Sequence, residues 1–278
     1  RSLVRAEGSN AGLVAKVERA EAVENLDSIL EASDVVMVAR GDLGVEIGDA
    51  AVPPVQKRIL REAPKHNTPV IVATQMMESM CENPFPTRAE VNDVANAVLD
   101  GTDAIMLSGE TAAGNYPVKT VKAMSRICES AEQHPRVMKS DHRSNLSFDR
   151  VDEAIAMAAM YTANHLNVDA IGALTESGST VLWMSRISSG IPIYAISPLE
   201  KTRRKVSLYR GVYPISIDFE QIGKYNISSK VAALLSEKGI VEKDNQIIIT
   251  RGDFLGELAG GTNAMKIVTI GDVRVSKN

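Results

Sequence analysis

Six polar residues stand where a buried element would want apolar ones, and their types define a chemistry. Lys16 and Glu18 lie two positions apart at the end of the apolar run Leu13–Lys16, so on a strand they share one face. Asp42 follows the run Val35–Ala39, within Ala39-Arg40-Gly41-Asp42-Leu43-Gly44. Thr74, with Gln75, closes Val70–Ala73; Ser108 and Glu110 close Ala104–Leu107. Two carboxylates, Glu18 and Asp42, beside hydroxyls suit a hard divalent ion such as Mg²⁺. That ion takes one or two protein carboxylates and leaves positions for substrate oxygens and water. A lysine beside it supplies positive charge to a phosphoryl group or a developing enolate. Gly41, Gly44 and the amides around them, at a helix start, offer N–H groups to a carboxylate. The implied substrate is a small polyanion bound through a metal.

Each residue alone has a plainer reading. Lys16 and Glu18 suit a strand-end ion pair, Glu18 with Arg19 a helix cap, Asp42 a helix N-cap, and Thr74 a cap of the segment after its strand. Met76, Met77 and Met80 read as adaptable packing. His66, His134, His142 and His165 are scattered and carry no catalytic assignment. Cys81 and Cys128 sit in no C-x-x-C or Cys/His cluster, so they read as unreactive thiols in a reducing compartment, with neither zinc nor disulfide.

The elements make the set coherent. The four runs are short and apolar with little alternation, as buried parallel strands are. Helical patterns lie between them. Glu21–Ser33 has one apolar face, Val55–His66 is interrupted by Pro64, Thr87–Leu99 opens on the capping box Thr87/Glu90, and Pro117–Gln133 starts on proline. This is a β/α architecture, in which strand C-termini converge on one rim. From Glu132 to Asp149 the periodicity fails, and a second α/β unit follows. Its expected elements are helix Val151–Leu166, strand Ala170–Leu174, helix Ser179–Ser189 with the only Trp, strand Ile191–Ile196 and a helix from Glu200. Strand Val212–Ile217, helix Ile222–Lys238, and strands Gln246–Thr250 and Met265–Ile270 complete it.

The 278 residues hold 31 Lys plus Arg against 35 Asp plus Glu, a net charge of −4 that gives no bulk field favouring nucleic acid or an anionic membrane. Aromatics, at 4%, are too few for base-stacking surfaces. No apolar stretch approaches the ~20 residues of a membrane span.

Six segments, in order, resemble pyruvate kinase: Val14–Glu18, Met37–Glu46, Ala73–Met77, Asn83–Glu90, Asp93–Asp103 and Met106–Ala112. The second half matches through Ala154–Met157, Thr175–Thr180, Tyr209–Val212 and Gly261–Asn263. The look is that of the bacterial second isoenzyme type. The resemblance implies the second half of a (β/α)8 barrel over 1–134, a linker over 135–150 and an α/β effector-binding domain over 151–278. It implies transfer of the phosphoryl group of phosphoenolpyruvate to ADP, giving pyruvate and ATP, in a cytoplasmic homotetramer with no nucleic-acid or membrane partner. Lys16 and Thr74 match catalytic positions. Lys16 would stabilise the phosphoryl group and the enolate, and Thr74 would take part in proton delivery. Glu18 and Asp42 match ligands of Mg²⁺ (or Mn²⁺), and Gly41 and Asp42 match backbone groups that receive the substrate carboxylate. Arg40, Ser108 and Glu110 match supporting positions. Thr175, Glu176, Ser177, Gly178, Ser179 and Thr180 match a loop for a phosphorylated activator, with Arg251 and 252–261 closing over it; Glu176 departs from a neutral or basic cradle. The family's first half-barrel, lid domain and K⁺ ligands have no counterpart here. A barrel of this type takes about 250 residues, so the expectation is a C-terminal part, inactive alone, that keeps effector binding and assembly. A Mg²⁺-dependent pyruvate aldolase on a similar barrel is the competing enzyme reading.

Overall fold

The computed structural model describes residues 1–138, 147–187, 189–218, 226–252 and 261–271. The chain divides into two compact units, Arg1–His134 and Pro135–Asn278. In the first, strands β1 (Val14–Val17), β2 (Val35–Ala39), β3 (Val70–Ala73) and β4 (Ala104–Met106) form one parallel sheet in the order β1-β2-β3-β4. The register pairs Val17 with Val38, Ala39 with Ala73, and Ala73 with Met106, so the strands' C-terminal ends come level. The central strands β2 and β3 are almost wholly buried, whereas the outer strands expose Val14 and Met106. Val17, Val36, Val38 and Val72 pack with Leu26, Leu30 and Ile59 from the connecting helices.

Local chemistry explains where the helices differ from expectation. The segment Glu21–Ser33 is two helices, Ala20–Glu24 and Leu26–Ala32. Asn25 breaks them apart, its side-chain amide donating to the Glu21 carbonyl at 2.8 Å. Helix Val52–Glu62 stops short of Pro64 and continues as the 3₁₀ turn Ala63–His66, because a proline cannot extend the α-helical ladder. Helix Arg88–Leu99 carries the full capping box: Thr87 Oγ1 accepts the Glu90 N–H at 3.2 Å, and Glu90 Oε2 accepts the Thr87 N–H at 2.8 Å. Helix Pro117–Glu132 closes the first unit.

Among the described residues of the second unit five strands lie in the order β7-β6-β5-β8-β9. They are β5 (Ala170–Leu174), β6 (Ile193–Ser197), β7 (Val212–Ser216), β8 (Gln246–Arg251) and β9 (Ala264–Thr269), with only the β8–β9 pair antiparallel. Helices Val151–Leu166, Ser179–Ser185 and Glu200–Val206 bury residues against one face. Helix Ile227–Glu237 covers the other with Ile227, Val231 and Leu235. The helix expected to reach Ser189 ends at Ser185, where the Arg186 and Ile187 N–H groups turn back to the Trp183 and Met184 carbonyls in 3₁₀ fashion. Of the stretch read as a linker, Pro135–Met138 is a helical turn whose Met138 carbonyl accepts the Gly190 N–H. Residues 139–146, the start of the helix expected from Ile222, and 253–260 lie outside the described residues.

Removing the cap oxygen with Thr87→Ala lowers stability by about 1 kcal/mol. A reduced urea midpoint followed by far-UV circular dichroism checks this.

Candidate active site

At the C-terminal rim of the first sheet, β1 carries Lys16 outward and Glu18 two residues on. The Lys16 ammonium pairs with Glu18 Oε2 and lies 3.1 Å from Asp42 Oδ2. Asp42 comes from the first turn of helix Arg40–Ile47, which starts directly at the end of β2 with Ala39 at its N-cap. Asp42 is therefore not the cap; it sits where the helix dipole favours a carboxylate. The cluster is open, with Lys16 44%, Glu18 30% and Asp42 64% exposed. Contact with Glu18 and then Asp42 raises the Lys16 pKa, and the Lys16 ammonium lowers that of Asp42.

The β3 end is built differently. Thr74 and Gln75 both adopt the left-handed conformation, at φ 66° and 52°. For a β-branched threonine this is a steric outlier of order 1–3 kcal/mol. Thr74 Oγ1 donates to the Ala73 carbonyl at 2.7 Å and accepts the Gly41 N–H at 3.0 Å. The Gly41 amide expected to meet a substrate carboxylate is thus held by the Thr74 hydroxyl. Arg40 is nearly buried and reaches across. Its Nη2 donates to the Thr74 carbonyl at 2.7 Å and its Nη1 to both Asp93 oxygens at 2.9 and 2.7 Å.

Ser108 and Glu110 belong to a separate tie. Glu110 is buried; its Oε1 accepts the Met77 N–H at 3.1 Å and its Oε2 the Ser108 N–H at 2.8 Å, fastening the β4 end to the loop after β3. Met76, Met77 and Met80 are core side chains. The thiols are not poised for chemistry: burial, with Glu132 and Glu129 nearby, pushes Cys128 up to about 11, and burial also raises Cys81. Sequence reasoning gave no role to Asp93, which it quoted only as the start of a motif, or to Gln75, which it noted only as closing the run before it with Thr74. Asp93 lies 53 positions from Arg40, with no spacing rule to join them, and Gln75 has no intrinsic left-handed preference.

In the second unit the Thr175–Thr180 loop links β5 to helix Ser179–Ser185. Thr175 Oγ1 accepts the Gly178 N–H at 3.0 Å, Ser177 Oγ accepts the Ser179 N–H at 3.3 Å, and the Thr180 and Thr262 hydroxyls lie 2.7 Å apart. Thr202 Oγ1 donates to the Glu176 carbonyl, while Glu176 and Ser177 stay exposed. Gly178, at φ +83°, has no room for a Cβ, which would stand 2.8 Å from Val206 Cγ1.

Residues 1–121 match the family "Pyruvate kinase, barrel domain" and residues 153–268 match "Pyruvate kinase, alpha/beta domain". The chain belongs to the pyruvate kinase family. It is 54% identical over 274 residues to pyruvate kinase II of Salmonella typhimurium, a match that spans 97% of this chain and 57% of that protein. Against the pyruvate kinase of Haemophilus influenzae it is 50% identical over 275 residues, 97% of this chain and 56% of that one. The crystal structure of a pyruvate kinase from Cryptosporidium parvum superposes with a TM-score of 0.85 at 37% identity, covering 94% of this chain and 52% of that one. The chain thus spans little more than half the length of the pyruvate kinases it matches. The fold is that of the family: barrel-type parallel β/α units, then a separate α/β domain. No helix among the described residues is long and apolar enough to cross a membrane.

The Lys16–Asp42 ion pair also sets a pH window. Its contribution is complete above the ordinary carboxylate range and is lost as pH falls through the lowered Asp42 pKa. At the alkaline end it is lost as pH rises through the raised Lys16 pKa. In Lys16→Met, the Asp42 carboxyl returns upward toward its ordinary value, which a carboxyl-carbon NMR titration reads directly.

Proposed function

We propose that this chain supplies the second half of the barrel (1–134) and, beyond a short connection (135–150), the α/β domain (151–278) of a pyruvate kinase. That enzyme moves the phosphoryl group of phosphoenolpyruvate to ADP. The observation that carries the reading is the Lys16 ammonium held between Glu18 and Asp42 at the strand-end rim. The two carboxylates already share one cation position, which fits a divalent ion. An ion of this kind takes one or two protein carboxylates and leaves its further positions to substrate oxygens and water. Glu18 and Asp42 would hold the Mg²⁺ (or Mn²⁺), which when bound would stabilise charge on phosphoryl and enolate oxygens. K⁺ would be held by family residues that have no counterpart in this sequence.

The substrate carboxylate takes the Gly41 and Asp42 N–H groups at the start of helix Arg40–Ile47. Arrival there frees the Thr74 hydroxyl from the Gly41 amide. A β-phosphate oxygen of ADP attacks phosphorus, the bond from phosphorus to the enol oxygen breaks, and Lys16 meets the charge on the group in transit. The remaining enolate takes a proton at carbon on the Thr74 side and leaves as pyruvate. Arg40, Ser108 and Glu110 keep the rim in shape. The Thr175–Thr180 loop binds a phosphorylated activator, and the enzyme is a cytoplasmic homotetramer.

The exposed outer strands of the first sheet favour a second statement. Alone, the chain is a binding and assembly module without turnover, because four strands leave two edges and one face of a barrel uncovered. Pyruvate formation in a coupled assay with Mg²⁺ and K⁺ tests both. The complete enzyme turns over only with ADP, and the chain alone does not. Pyruvate release without ADP points instead to an aldolase. Lys16→Met lowers kcat at least about 10²–10³-fold with the circular dichroism unchanged; turnover near normal contradicts the role.

A further inference from the structure

The guanidinium of Arg40 does more than fill space behind the rim. Its Nε donates to the Ala73 carbonyl at 3.3 Å, and its Nη2 to the carbonyls of Thr74 at 2.7 Å and Gln75 at 3.3 Å. One planar fork therefore ties down three consecutive carbonyls, and two of those residues hold the left-handed conformation that a threonine avoids. Such a conformation persists only where the surroundings over-determine it. The Ala73 carbonyl is also the acceptor of the Thr74 hydroxyl, so Arg40 and Thr74 share one oxygen. Asp93 holds the far side of the fork through both oxygens. Lys57, the nearby cation on helix Val52–Glu62, is engaged by Asp100 at 2.6 and 2.5 Å and does not compete for Asp93. A lysine at position 40 would keep the charge but not the fork.

We propose that Arg40, anchored by Asp93, is a positioning residue that sets the Thr74 hydroxyl for proton transfer at the enolate carbon. The proposal rests on the reading of Thr74 given above. It separates two parts of the reaction: Arg40 acts on proton transfer through Thr74, whereas Lys16 acts on the phosphoryl group.

The test is a cycle in the complete enzyme with Arg40→Lys, Asp93→Asn, Thr74→Val and the pairs Arg40→Lys/Thr74→Val and Asp93→Asn/Thr74→Val. The readout is exchange of pyruvate methyl protons with D₂O by proton NMR, in the presence of Mg²⁺ and K⁺. In that exchange a methyl C–H proton leaves to solvent and a deuteron returns to the same carbon. Arg40→Lys and Asp93→Asn are each expected to slow exchange about 10²-fold, the order that a misplacement of about 1 Å costs. KM for phosphoenolpyruvate should stay within about threefold, and neither change should slow exchange further when combined with Thr74→Val. Equal slowing with and without the Thr74→Val substitution overturns the proposal. So does unchanged exchange in Arg40→Lys and Asp93→Asn. If Arg40→Lys does not fold, Asp93→Asn carries the cycle, since it leaves the fork in place and loosens only its anchor. Normal exchange in Thr74→Val removes this proposal while leaving the pyruvate kinase reading, which the ADP-dependent assay judges separately.

Discussion

Parallel register is the constraint on which the rest of the first unit depends. Because β1 to β4 run the same way and pair nearly level, their C-terminal residues are brought to one rim although they are far apart in sequence. Interior strands buried on both sides leave polar side chains nowhere else to go. The helix entered straight from Ala39 adds a carboxylate and a set of amide donors at that rim. An exposed ion pair such as Lys16 with Asp42 contributes little to folding. Under the proposed function its place has a chemical reason: with Glu18 it sets one ammonium beside two carboxylates at the rim.

The rim is stiffened by polar ties behind it. Glu110 joins the ends of β3 and β4 through backbone donors, and Glu90 extends beyond its capping box to the Ser79 N–H and hydroxyl. Arg40 holds the loop after β3 in a conformation its residues disfavour. Strain at Thr74, compensated by the nearly buried Arg40 fork, is what a pre-organised site looks like.

Much of this was legible in the sequence. The spacing of Lys16 and Glu18, the run into Gly41-Asp42 and the polar closures of two further runs mark the strand-end rim in the sequence itself. The capping box of Thr87 and Glu90 is present as written. Pairings across long separations were not legible. Nothing in Arg40 or Asp93 names the other, and Thr74 and Gln75 are not residues that announce a left-handed turn. Asn25 divides a helix that hydrophobic period alone carries through, its side-chain amide joining its own backbone N–H on the Glu21 carbonyl as a C-cap. In the second unit the sheet was readable from its apolar runs, but Thr175 and Ser177 turn their hydroxyls onto the loop's own amides, a choice that composition does not encode.

The central claim is that Glu18 and Asp42 form one divalent-cation position beside Lys16. A titration of the complete enzyme with Mn²⁺, followed by water-proton relaxation with and without phosphoenolpyruvate, tests it most directly. The account predicts one site per chain, tightened by phosphoenolpyruvate and weakened at least about tenfold by Glu18→Gln or Asp42→Asn, the loss of about 1.4 kcal/mol or more expected when a charged ligand is removed. Mn²⁺ binding that is indifferent to both substitutions would contradict it.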